Sequence, residues 1–170
     1  MSNKKVLVVF YSSSGNTRKV GQAIAERLSA AVEEIQEVHP HPVDIRGKSL
    51  RNFLNMGFVV FHALTNRTVP IKAAQHDSAD YDLVVIGTPI YASSLSAPVR
   101  AYLHQYGSRC KEVAFFSLGL DPNPSPRVFQ HMEKACGKSP KAVYAFQAER
   151  TLTEESPSPV QEFVSQLETG

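Results

Sequence analysis

Six residues, Ser12-Ser13-Ser14-Gly15-Asn16-Thr17, follow directly on the apolar run Val6-Leu7-Val8-Val9-Phe10-Tyr11. The order reads as a buried strand, a hydroxyl-rich turn and the start of a helix. Such a turn can hold a phosphate without a compulsory cation. Ser12, Ser14 and Thr17 offer hydroxyls, and the backbone around Gly15 offers N–H groups, with Ser13 and Asn16 in the same loop. The helix N-terminus adds unpaired donors and the positive end of its dipole. Gly15 permits a positive φ or a close approach that a bulkier residue would block. The run is neither a Walker A loop nor the three-glycine dinucleotide fingerprint. Taken alone, it also fits an ordinary strand–turn–helix with a Ser or Thr N-cap.

Two further loops carry candidate residues. Gly87-Thr88-Pro89-Ile90-Tyr91-Ala92-Ser93-Ser94 follows the apolar run that ends at Ile86. Tyr91 could stack on a flat conjugated ligand, a gain of roughly 0.5–1.5 kcal/mol beyond area burial, or pack against the helix that starts near Ser96. Ser117-Leu118-Gly119-Leu120-Asp121-Pro122-Asn123 follows another apolar run, Val113 to Phe116. His39 and His41 stand two apart, but no third ligand is evident and prolines flank them; the better reading is an exposed loop, and no metal site is expected.

These loops need a frame to bring them together, and the pattern supplies one. Val6 to Phe10 is continuously apolar, as in a strand covered on both faces. Thr17 to Ala30 has helical spacing, with Val20, Ile24 and Leu28 on one stripe. Val32 to Val38 fits neither period and reads as an edge strand by its position. Leu50, Phe53, Leu54, Phe61 and Leu64 form an amphipathic stripe, with Phe58 beside it; this is read as a core-facing helix, with partner binding as the alternative. Tyr81 to Ile86, Val113 to Phe116 and Lys141 to Gln147 read as strands. Ser96 to Tyr106, Arg127 to Cys136 and Val160 to Leu167 read as helices, with Gly107 and Gly137 ending the first two. Five strands alternating with helices predict a doubly wound α/β sheet, read as a single domain over residues 1–170. Ligands of such sheets bind outside the carboxyl ends of the strands, where all three loops lie.

Composition narrows the function classes. A net charge of +2, with basic residues scattered, gives no footprint for nucleic acid. No apolar run approaches the roughly 20 residues that span a bilayer, so no membrane insertion is expected. The two cysteines make no disulfide framework and no Cys-x-x-Cys motif, which suits a reduced, cytoplasmic chain.

The chain resembles the flavodoxin-like family, whose short-chain members bind flavin mononucleotide (FMN). The family's first loop is Thr/Ser-x-Thr/Ser-Gly-x-Thr, and residues 12–17 match every fixed position. Its second loop begins Gly-Ser/Thr-Pro and carries a stacking aromatic, as Gly87-Thr88-Pro89 and Tyr91 do; Ala97-Pro98-Val99-Arg100 is similar too. The resemblance implies the sheet order 2-1-3-4-5 with helices on both faces. It also implies a phosphate on Ser12, Ser13, Ser14, Gly15, Asn16 and Thr17. The ring would lie against Thr88, Pro89, Ile90, Tyr91 and Ala92, with Ser117 and Gly119 of the third loop also binding the cofactor. Arg18 and Lys19, in the first helical turn, either serve that phosphate or are solvated surface charges.

Three departures bear on function. Carriers of the family are usually strongly acidic, and this chain is not. Where many place a glycine after the stacking aromatic, Ala92 stands here, so a positive-φ turn costs more and the one-electron-reduced flavin is expected to be weakly stabilised. Residues 117–123 hold no second aromatic, which leaves one ring face open or covered by Phe58, Phe61 or His62. The resemblance therefore implies electron transfer to a redox partner protein. One alternative is an FMN-dependent NAD(P)H:quinone or small-acceptor oxidoreductase. Another is a binding module of the same fold without cofactor. No catalytic residue is nominated, because the flavin would do the chemistry, and oligomeric state is not legible.

Overall fold

The computed structural model describes residues 4–40, 49–65, 67–120, 126–148 and 158–169, without the side chains of 63 and 64. The first strand, β1 (Val6–Phe10), is buried along its whole length. Val6, Val8 and Phe10 face one side and Leu7, Val9 and Tyr11 the other, so the unbroken apolar run feeds two cores at once. Helix α1 (Asn16–Leu28) buries Thr17, Val20, Gly21, Ile24 and Ala25, a single helical stripe.

β2 (Ala31–Glu34) pairs with β1 in parallel. The expected strand over Val32 to Val38 is thus shorter. Beyond it Ile35 N–H still donates to Phe10 O at 2.8 Å, and Glu37 makes an isolated bridge to Ile71. Helix α2 (Leu50–Leu64) follows, started by Ser49, whose hydroxyl accepts Asn52 N–H. Its stripe does not face the core as expected. Leu50, Phe53, Leu54 and Phe61 are 74%, 75%, 62% and 51% exposed, because the helix rests on β3, a short strand β4 and α3 through its other face.

β3 (Leu83–Tyr91) runs on through Thr88, Pro89, Ile90 and Tyr91, residues expected in a loop. β4 (Ser94–Leu95) folds back on its end, pairing Tyr91 with Ser94 and Ile90 with Leu95. Helix α3 (Ala97–Tyr106) leads to β5 (Glu112–Gly119), which likewise carries Ser117, Leu118 and Gly119 in the strand. Helix α4 (Arg127–Cys136) ends at Gly137, which takes φ 72° as a helix-terminating glycine does. β6 (Val143–Gln147) and α5 (Pro159–Thr169) complete the chain.

The parallel sheet runs β2-β1-β3-β5-β6, which is the expected order, and β4 is an added antiparallel edge on β3. α1 and α5 cover one face over Phe10, Val85, Phe116 and Phe163. α3 and α4 cover the other, over Val84, Ile86, Tyr102, Phe115 and Met132. Tyr102 lies in that core, with Tyr106 and Phe129 packed against it.

Candidate functional site

The carboxyl ends of β1 and β3 place the first two candidate loops side by side. Gly15 takes the N-cap position of α1 at φ 89°, and no side chain caps the helix. A Cβ there would meet nothing nearer than the Arg18 guanidinium at 3.9 Å, so the space above Gly15 is open. Ser12 Oγ accepts Gly15 N–H at 3.1 Å and holds the turn in shape. Ser14 is exposed, Asn16 is half-buried and Thr17 is buried against the sheet. No acidic residue stands in the first turn of α1. A bare helix N-terminus with hydroxyls beside it and no carboxylate suits an anion. Arg18 lies beside this cradle, with Nη1 3.9 Å from the position a Gly15 Cβ would take, but its other guanidinium nitrogens are committed elsewhere. Its guanidinium holds Glu34 on β2 through two hydrogen bonds, at 2.8 and 2.7 Å, and the carboxylate raises the Arg18 pKa.

Tyr91 closes the distance between the loops. Its hydroxyl lies 2.5 Å from Ser13 Oγ. The turn beyond it holds Ala92 at φ 47° and Ser93 at φ 59°, two consecutive left-handed residues without a glycine. A two-residue hairpin of this hand requires positive φ at both positions. The chain therefore stores strain here, on the order of 1–3 kcal/mol per residue. The hairpin is held from beneath. Buried Arg100 donates from Nη2 to Ser94 Oγ at 3.3 Å and from Nη1 to the carbonyls of Arg67 and His62 at 3.1 and 3.4 Å. Burial lowers the pKa of that guanidinium.

The other nominated residues play different parts. Thr88 is buried, and its hydroxyl accepts Ser96 N–H at 3.0 Å, pinning the entry to α3. Pro89 and Ile90 are half-buried. Gly119 lies against Ile90, where an added Cβ would meet the isoleucine side chain at 3.1 Å. Ser117 is buried in the sheet beside Thr88, and its hydroxyl finds no partner among the described residues. Residues 121–125, the rest of the third loop, and His41 lie outside the described residues. His39 is exposed, and no group of metal-binding side chains forms among the described residues.

A narrow cleft runs between the Tyr91 loop and α2. Tyr11, Glu37, Phe58, His62, Tyr91 and Pro98 are among its walls. Phe58 and His62 stack at 4.2 Å between centroids, so both line the cleft, whereas Phe61 points outward. On the floor, Tyr11 donates to Glu37 Oε1 at 2.5 Å. Burial, and then the Glu37 carboxylate, push the Tyr11 phenol far above its usual range. Burial also raises the pKa of the Tyr91 phenol, so both stay protonated donors near neutral pH. Tyr11, Glu37 and Arg100 were not legible as site residues, since each acts through a partner at least 26 positions away.

Comparison with known proteins bears on this arrangement. A family model described as a flavodoxin domain matches residues 62–152, more than half of the chain. The chain belongs to the flavodoxin domain family. The flavodoxin chain is 30% identical over 105 residues to an NAD(P)H dehydrogenase (quinone) of Cupriavidus metallidurans. That match takes in 61% of this chain and 47% of the relative, so the chain spans about half the length of the relative. A flavoprotein of Lactobacillus acidophilus, solved in complex with FMN, superposes with TM-score 0.67 at 21% identity, over 84% of this chain and 93% of its own. A flavodoxin of Streptococcus pneumonia superposes with TM-score 0.56 at 13% identity, over 96% and 97%. At these identities the two structures speak for the flavodoxin fold alone. Among the described residues, no helix is long and apolar enough to cross a membrane.

Proposed function

We propose that residues 1–170 act as one flavodoxin-like domain that binds FMN and carries electrons to a redox partner in the cytoplasm. The observation that carries this reading is the contact between an uncapped, hydroxyl-lined helix N-terminus and Tyr91 at the same sheet edge. The cradle fits a phosphate: its glycine is already at positive φ, the space above that glycine is open and no carboxylate stands in the first turn of the helix. Ser12, Ser13, Ser14, Gly15, Asn16 and Thr17 would hold the phosphate, and Tyr91 and Ala92 would meet the ring. Thr88, Ser117 and Gly119 would support the strands behind it. When bound, FMN supplies one- or two-electron redox chemistry, while the chain binds, orients and tunes it. The two cysteines are buried free thiols, which suits a reducing compartment.

The second reading is an FMN-dependent NAD(P)H:quinone oxidoreductase. The Cupriavidus relative's name favours it, as does the aromatic cleft beside Tyr91. Purification without added flavin, followed by the visible spectrum before and after FMN is supplied, tests the shared cofactor. A colourless chain that fails to take up FMN rejects both readings and favours a cofactor-free binding module. A loaded chain that oxidises NADH or NADPH rapidly with a quinone present, unaided, rejects the carrier.

A further inference from the structure

The short contact between Ser13 and Tyr91 joins residues 78 positions apart, one on each side of the site. At 2.5 Å it stands at the strong end for two hydroxyls. The greater acidity of a phenol favours Tyr91 as the donor to Ser13 Oγ, although the distance fits either direction. A serine hydroxyl has one proton and two acceptor sites. With Tyr91 as the donor, the Ser13 proton is left for a further acceptor.

We propose that Ser13 is a relay that couples phosphate occupancy to the orientation of Tyr91, and thereby sets preference for FMN over the unphosphorylated flavin. The inference rests on the FMN reading above. A phosphate oxygen in the cradle accepts the Ser13 proton in a charge-assisted bond. That bond polarises the serine oxygen and strengthens its hold on the Tyr91 hydroxyl. The backbone of Tyr91 is already fixed by its pairing with Ser94, and Ser94 by Arg100. What the relay sets is the side-chain torsion, the freedom on which a stacked ring depends. Ser12 does not join the halves in this way, since its hydroxyl closes its own turn on Gly15. No proton changes owner; two hydrogen bonds in series reinforce each other. Ser13 and Tyr91 act as positioning residues.

The test is a cycle between ligand and variant. Dissociation constants for FMN and for riboflavin are measured on the full flavin-free chain and on Ser13→Ala, Tyr91→Phe and the double variant. Tyr91→Phe keeps the ring, and its lost hydroxyl is directed at Ser13 rather than the phosphate. The preference for FMN over riboflavin is expected to fall about three- to tenfold in Tyr91→Phe, the worth of one hydrogen bond. In the Ser13→Ala background the same change should leave that preference unaltered. Inorganic phosphate added to the flavin-free chain should shift the Tyr91 ring resonances, and should not do so in Ser13→Ala. Equal weakening of FMN and riboflavin by Tyr91→Phe, or a phosphate-induced shift that survives Ser13→Ala, overturns the relay while leaving the cofactor reading intact. Failure of the unmodified chain to bind either flavin overturns both.

Discussion

Gly15 and Ala92 both sit at positive φ, 89° and 47°, at the two ends of the proposed site. At the phosphate end the backbone conformation belongs to a residue that adopts it freely. At the ring end it is imposed on two residues that resist it, Ala92 and Ser93. The supporting contacts differ in the same way. The cradle is held by neighbours, Gly15 N–H to Ser12 Oγ and Lys19 N–H to Gly15 O. Around Tyr91 the holding bonds run mostly across the fold: Tyr11 to Glu37, Tyr91 to Ser13, and Arg100 to Arg67 and His62, with Arg100 to Ser94 the short-range exception. A locally satisfied turn survives most changes elsewhere. A strained hairpin persists only while its distant partners over-determine it.

The largest effect in this comparison is expected from Glu37→Ala. It strands the buried Tyr11 hydroxyl on the cleft floor, at a cost of roughly 1–3 kcal/mol, read as a lower midpoint in urea. Tyr11→Phe in the same background should recover part of it, because the orphaned donor then disappears. The pH dependence has a definite sign. Burial and the carboxylate raise the Tyr11 pKa above the ordinary phenol value of about 10, so the folded chain holds a proton that the unfolded chain releases. Stability is therefore fully present below about pH 10 and falls as pH rises beyond it. Tyr11→Phe should flatten that decline; an unchanged alkaline slope would remove Tyr11 from the account.

A mirror pair of substitutions comes next. Gly15→Ala meets no clash, since the nearest atom stands 3.9 Å from the new Cβ, so its cost is conformational alone. A left-handed alanine costs about 1–2 kcal/mol, and thermal unfolding should show that loss. Ala92→Gly and Ser93→Gly should act in the opposite direction, each stabilising by up to about 1 kcal/mol as strain is relieved against the greater freedom of unfolded glycine. Ala92→Gly should also raise the fraction of one-electron-reduced flavin seen during stepwise dithionite titration. If Ala92→Gly and Ser93→Gly both destabilise, the hairpin is not strained and the contrast between the two ends fails.

The same divide between local and distant contacts explains what the sequence made legible. The strand–turn–helix at residues 6–17 and the helix-ending glycine at 137 follow from patterns a few residues long, whereas the order of the sheet is legible only through the family resemblance. Val32 to Val38 defeated the periodicity for a physical reason. The buried positions are Glu33, Ile35 and Glu37, a regular alternation, but two of the three are carboxylates. Glu33 accepts Gln75 N–H and His76 N–H at 3.0 Å each, and Glu37 accepts Tyr11 O–H, so burial is compensated by partners distant in sequence. α2 erred in the other direction, since an apolar stripe cannot say which face of a helix meets the sheet when both faces are apolar. Tyr91 and Ala92 are legible as candidate residues, whereas the turn that bends the chain through two left-handed residues is not. Proline and serine around them marked a loop, and the strand continued instead.

Arg18 supplies the smallest and most discriminating effect. It lies in the first turn of α1, where a cation is disfavoured by the dipole unless an anion is near. Two anions compete for it: Glu34, which holds it at 2.7 Å, and the phosphate the cradle would accept. The pair is exposed, so Glu34→Gln should change stability by less than about 1 kcal/mol. Releasing the guanidinium lets it turn toward the cradle. FMN affinity should then rise a few-fold and become more sensitive to salt, while riboflavin affinity stays where it was. Should affinity for both flavins and its salt dependence remain unchanged, the cradle holds its anion by hydroxyls and backbone N–H groups alone. The local character of the phosphate end would then extend to its electrostatics, with the nearest cation committed to the strand beside it.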